Sequence, residues 1–135
     1  MRRPKFIAAA FSLLSLLALG GCGSDGSQEL GVAVCAPVCV ELNFNETNQF
    51  TAKVFNATTN NTVTWSVLGG DNNGSIDPTT GLYTAPPVLP ASCAITVQAT
   101  SNEDPTRIGR ASVILPKPGD PNCVCPAPAA DQCAP

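Results

Sequence analysis

Between residues 32 and 116, apolar and polar side chains alternate with a period of two, in runs of only a few residues. Phe50, Ala52 and Val54 alternate with Thr51, Lys53 and Phe55, and Val63, Trp65 and Val67 alternate with Thr62, Thr64 and Ser66. Ile95, Val97 and Ala99 alternate with Thr96, Gln98 and Thr100, and Ala111, Val113 and Leu115 form the last such face. A period of two sends successive side chains to opposite faces, and with β-branched enrichment it describes half-buried strands. The runs are separated by Asn56-Ala57-Thr58-Thr59-Asn60-Asn61, Gly69-Gly70-Asp71-Asn72-Asn73-Gly74, Asp77-Pro78-Thr79-Thr80-Gly81 and Asn102-Glu103-Asp104-Pro105. Such segments supply positive-φ positions and preset turns. No stretch after residue 31 has a helical period, and the length allows one domain. Several short strands with regular turns predict an all-β sandwich. Trp65 shares a face with Val63 and Val67, so it is expected in the core and not as a ligand-stacking residue.

Residues 1–21 read as a signal peptide. Arg2, Arg3 and Lys5 form a positive segment, Phe6 to Leu19 an apolar one, and small residues then lead into a cysteine. The apolar run is shorter than the roughly 20 residues that cross a hydrocarbon core. Leu19-Gly20-Gly21-Cys22 resembles the lipobox of bacterial lipoproteins. The resemblance implies that Cys22 is the lipidation site, acylated with palmitate-type chains, and that the leader is removed. Three acyl chains exceed the two signals needed for stable anchoring, so the mature protein would sit on membrane lipid without spanning it. Gly23 stands where Asp would signal inner-membrane retention in enteric lipoproteins, which points to the outer membrane of the cell envelope. Residues 22–31 are small and polar, and as a flexible tether they would hold the domain about 16 Å from the lipid.

The charge balance excludes some partners. The full chain has 7 basic and 10 acidic residues. Losing Arg2, Arg3 and Lys5 with the leader leaves 4 basic residues and a formal charge of −6. A domain this acidic lacks the electrostatic footprint of a nucleic-acid binder, and no polybasic patch adds to the lipid anchor.

Catalysis has little to work with. The chain contains no His, and no Gly-x-Ser-x-Gly elbow is present. Glu103-Asp104 sits beside Pro105 as a solvated turn. Asp71 to Asp77 offers oxygen ligands but places glycine fourth, not sixth, and so fails the EF-hand calcium pattern. The expectation is a non-enzyme with no catalytic residues, no cofactor, no metal and no small-molecule substrate.

A family resemblance rests on longer strings. Gln49-Phe-Thr-Ala-Lys-Val-Phe-Asn56, Val63-Thr-Trp-Ser-Val67, Gly69-Gly70, Gly74-Ser-Ile76, Thr80-Gly-Leu-Tyr-Thr-Ala-Pro86 and Ile95-Thr-Val-Gln-Ala-Thr100 together resemble the group 2 bacterial immunoglobulin-like domains of surface proteins and adhesins. The resemblance covers residues 32–116. It implies a Greek-key β-sandwich of about seven strands, with Trp65 in the core and Tyr83 packed near it. The family usually occurs in arrays and usually lacks cysteines. A single copy with cysteines suggests a braced, stand-alone domain.

Six cysteines remain after Cys22: Cys35, Cys39, Cys93, Cys123, Cys125 and Cys133. An even count in an exported chain reads as three disulfides, with 15 possible connectivities. The alternative is a metal site built from Cys35-x3-Cys39 and Cys123-x-Cys125, which the oxidising compartment and the missing His disfavour. In the implied sandwich the sixth strand, which Cys93 opens, starts at the end where the last strand finishes. Cys93 is therefore expected to bond to Cys123, Cys125 or Cys133 and pin the Pro- and Cys-rich tail, residues 117–135. The functional expectation is a non-catalytic structural or protein-binding module whose partner is another envelope or extracellular protein. The alternative is a Cys-rich metal-binding or thiol-redox lipoprotein.

Overall fold

The computed structural model describes residues 28–128 and 130–134. Cys22, the leader and most of the tether lie outside the described residues. The fold is all-β apart from one 3₁₀ turn at Asp71–Asn73. Among the described residues, no helix is long and apolar enough to cross a membrane.

Among the described residues, nine strand segments form three sheets. β1 (Gly31–Val34) pairs antiparallel with β4 (Ala52–Phe55). β2 (Cys39–Glu41), β9 (Ile108–Ile114), β8 (Ala94–Ser101) and β5 (Val63–Val67) form a four-stranded sheet in that order, with β2 parallel to β9. β3 (Thr47–Gln49), β7 (Leu82–Thr84) and β6 (Ser75–Ile76) form the third. Nine segments stand where about seven strands are expected, and two of the gaps between segments are short. Only Phe50 and Thr51 separate β3 from β4. Phe50 N–H donates to Gly81 O, extending the β3–β7 ladder, and Cys35 N–H donates to Thr51 O, extending β1–β4. The chain then passes from β1 to β2 through residues 35–38, where the Ala36–Pro37 peptide is cis.

All three sheets share one core. Val34, Phe50, Trp65, Tyr83, Ile95, Val97, Ala99, Ala111, Val113 and Leu115 are buried within it. The period-two faces thus point inward, while Thr64, Ser66 and Lys53 stay exposed. Trp65 and Tyr83 do not stack on each other; Phe50 stands between them. Its ring centroid lies 6.1 Å from that of Trp65 and 6.4 Å from that of Tyr83, the second pair edge-on. Tilted and edge-on pairs are the favoured aromatic arrangements. The Tyr83 hydroxyl donates to Asn73 O at 2.7 Å, which satisfies its polar end and ties the 69–74 loop down. Burial pushes the Tyr83 pKa up to about 12.

Gly81 sits against this cluster with φ +76°. A Cβ there would lie 2.7 Å from both Phe50 O and Trp65 Nε1, so the Asp77–Gly81 turn closes over the indole only with glycine.

Trp65 is 4 % exposed. Replacing it with alanine is expected to cost about 3–5 kcal/mol as a large-to-small core change, a large part of a small domain's stability. Denaturant or thermal unfolding of Trp65→Ala measures this, and a native-like melting temperature would place the indole outside the core.

Candidate functional site

The tail carries the most distinctive chemistry. After β9 the chain turns at Lys117–Asp120, where the Lys117 ammonium contacts the Asp120 carboxylate at 2.9 Å. Asp120 Oδ1 also accepts the Asn122 amide, and Asp120 O accepts the Cys123 amide at 3.2 Å. Each tail cysteine then bonds a different part of the body. Cys93 joins Cys123, Cys39 joins Cys125, and Cys35 joins Cys133. The Cα separations of 5.8, 5.7 and 5.1 Å lie in the usual disulfide range.

The first bridge follows from sheet register. Ala94, the first residue of β8, pairs with Ile114 near the end of β9, and Leu115 N–H donates to Cys93 O. The chain entering β8 and the chain leaving β9 are therefore neighbours. Cys93, Cys123 and Ile114 form a small second core, with Cys39 and Cys125 packed on it. Two carboxylates hold the rest of the tail. Glu41 accepts the Cys125 amide at 3.0 Å, while Asp131 Oδ1 accepts the Ala36 amide at 3.0 Å and the Cys133 amide at 2.9 Å. These contacts keep the Asp131 carboxyl below the usual range, the bond from Ala36 contributing most.

The two cysteine pairs considered for metal do not come together as pairs. Cys35 and Cys39 bond separate tail residues, so neither Cys35-x3-Cys39 nor Cys123-x-Cys125 offers two thiolates to one ion. One set of donor atoms does converge: Cys93, Asp120 and Cys123 lie within 4.8 Å of one another. Its two sulfurs are already bonded to each other.

The candidate carboxylates face different tasks. Glu103 reaches across to the 56–61 loop, where it accepts the backbone amides of Thr58, Thr59 and Asn60 and the Thr58 hydroxyl, at 2.7 to 3.1 Å. These bonds, led by that of Asn60, lower its pKa to about 2. Its neighbour Asp104 accepts the Thr106 amide and hydroxyl and contacts Arg107. The two therefore do not converge on a shared point, as an acid/base pair would. Asp77 likewise accepts the Thr79 and Thr80 amides of its own turn. Its Oδ1 caps that turn.

No protein-family model matches the chain, and a search of curated proteins finds no match.

The Glu103 clamp has a definite pH signature. A carboxylate whose folded pKa lies below its ordinary 4.5 adds stability that is present above that value and lost as pH falls toward about 2. The stability difference between wild type and Glu103→Gln should be constant above pH 4.5 and vanish toward pH 2. A Glu103 carboxyl resonance titrating at the ordinary value, with no pH-dependent difference, would contradict the clamp.

Proposed function

We propose that this chain is a bacterial envelope lipoprotein, anchored through Cys22, whose single immunoglobulin-like domain serves as a non-catalytic structural or protein-binding module. One observation carries the reading: all six described cysteines are closed against one another. Such closure belongs to an oxidising compartment, the destination that the leader and Leu19-Gly20-Gly21-Cys22 specify. The partner class is another envelope or extracellular protein, and Gly23 directly after the anchor favours the outer membrane.

The immunoglobulin-like reading is supported by strand order. Taking β3 with β4 as one interrupted strand, β1–(β3/β4)–β7–β6 follows the A-B-E-D order of such sandwiches. On the other face β9, β8 and β5 follow G-F-C. β2 then continues the first strand onto the opposite sheet, parallel to β9. On this count there are seven strands, two of them broken.

A thiol-redox or metal role keeps one supporting observation, the Asp120 carboxylate beside the Cys93–Cys123 bridge. It requires reduction of that bridge first, and a free-thiol count on the mature protein separates the two readings.

Cys22→Ala should release the protein from the membrane fraction. A variant that still pellets with membranes and keeps its leader would overturn the lipoprotein reading.

A further inference from the structure

The register of the strands gives the domain two ends. The chain enters at β1, whose first residue Gly31 pairs with Phe55 at the end of β4. At the same end β5 begins, Val63 opposite Ser101, and β9 begins, Ile108 opposite Thr100. The entering chain is fastened there: Glu29 pairs with Arg107, and its carbonyl accepts from Asn56 Nδ2 at 2.9 Å. The eight residues of β8 carry the fold about 26 Å away, at roughly 3.3 Å per residue. Two loops close the far end: residues 68–74, which follow β5, and residues 86–92, which lead toward β8.

Between them lies a groove of about 480 Å³, lined by Asp71, Asn72, Pro86, Val88, Leu89 and Pro90 among others. Val88 is 69 % exposed and Leu89 37 %, two adjacent apolar side chains left open on one wall of the groove. The groove is held in shape. Tyr83 clamps Asn73 O, Asn73 Nδ2 donates to Leu68 O at 2.7 Å, and Asn45 N–H donates to Pro86 O. Pro86, Pro87 and Pro90 fix φ along the other wall. A wall already ordered loses little freedom on binding.

The charge of the groove selects its occupant. No Lys or Arg lines it. Among the described residues every other acid is engaged in a hydrogen bond or ion pair, whereas no such contact is made by the Asp71 carboxylate. We propose that this far-end groove docks a segment of a partner protein that places an apolar side chain against Val88 and Leu89 and a Lys or Arg on Asp71. A second copy would bring a second unpaired Asp71 to the same place, and an anionic lipid surface would be repelled by it. The orientation of the groove away from the lipid rests on the Cys22 anchor; the groove itself does not.

The test uses the full-length protein in its own membranes, with the photo-crosslinker p-benzoylphenylalanine replacing Val88 or, as a control, Thr106 at the tethered end. Position 88 should give one discrete adduct whose cross-linked peptide contains Lys or Arg beside an apolar residue, and position 106 should not. Asp71→Lys should lower the adduct yield about tenfold, and raised salt should also weaken it. A silent position 88, an adduct indifferent to Asp71→Lys, an adduct with lipid or one with a second copy would each overturn the proposal. Membrane fractionation of the same samples reports on the anchor separately. Protein found at the membrane with position 88 silent defeats this proposal alone, and protein found soluble defeats the anchor alone.

Discussion

Three sulfur bridges decide whether the last twenty residues belong to the domain. The tail is rich in proline and poor in large apolar side chains, so it has little surface to bury against the ordering cost of each residue. In the chain-entropy view, closing a 30-residue separation, as Cys93–Cys123 does, is worth about 3.7 kcal/mol, and a 98-residue one, as in Cys35–Cys133, about 4.7 kcal/mol. These values do not add, because the loops overlap and closing one shortens the others. Even the smallest outweighs what a few exposed hydrogen bonds contribute. The bridges also connect distant parts of the sequence: the start of β8, β2 and the crossing from β1 to β2 are all tied to one short stretch. The Cys35–Cys133 and Cys39–Cys125 bridges flank the crossing itself, where the first strand leaves one sheet for the other.

The acidity of the chain has a local explanation. Carboxylates at Glu41, Glu46, Asp77, Glu103, Asp104, Asp120 and Asp131 accept backbone amides in turns or between loops. Strands this short leave many loop amides without a ladder partner, and side-chain acceptors fill that need. The same engagement turns these groups toward the chain's own turns and loops. Asp71, which takes no part in it, stands out for that reason.

Much of this was legible in the alternation alone. Val63–Val67, Ala94–Ser101 and Ile108–Ile114 carry the clean pattern of one buried and one open face, and they form the three longest strands. β3 was not legible from alternation, because Thr47-Asn48-Gln49 is polar throughout and is a strand by virtue of its pairing with β7. β6, at two residues, is too short to show a period. Phe50 and Leu115 fall just outside strands yet are buried, since the break in one strand and the end of another still face the core. For the cysteines, the shared end of two adjacent strands points Cys93 toward the tail. Nothing in the spacing of Cys35 and Cys39 says which tail thiol each would take; that follows from how the tail runs back along the crossing. Glu103 reads as a solvated turn because its partner loop lies 43 to 45 residues earlier.

Through these three bridges the tail is part of the folded domain. The decisive measurement is non-reducing peptide mapping by mass spectrometry, on protein purified from envelope fractions with thiols blocked at lysis. Cross-linked peptides should join Cys35 to Cys133, Cys39 to Cys125 and Cys93 to Cys123, with none of the six alkylated. Tail cysteines bonded only to one another, or Cys93 recovered free or joined to Cys35 or Cys39, would contradict it.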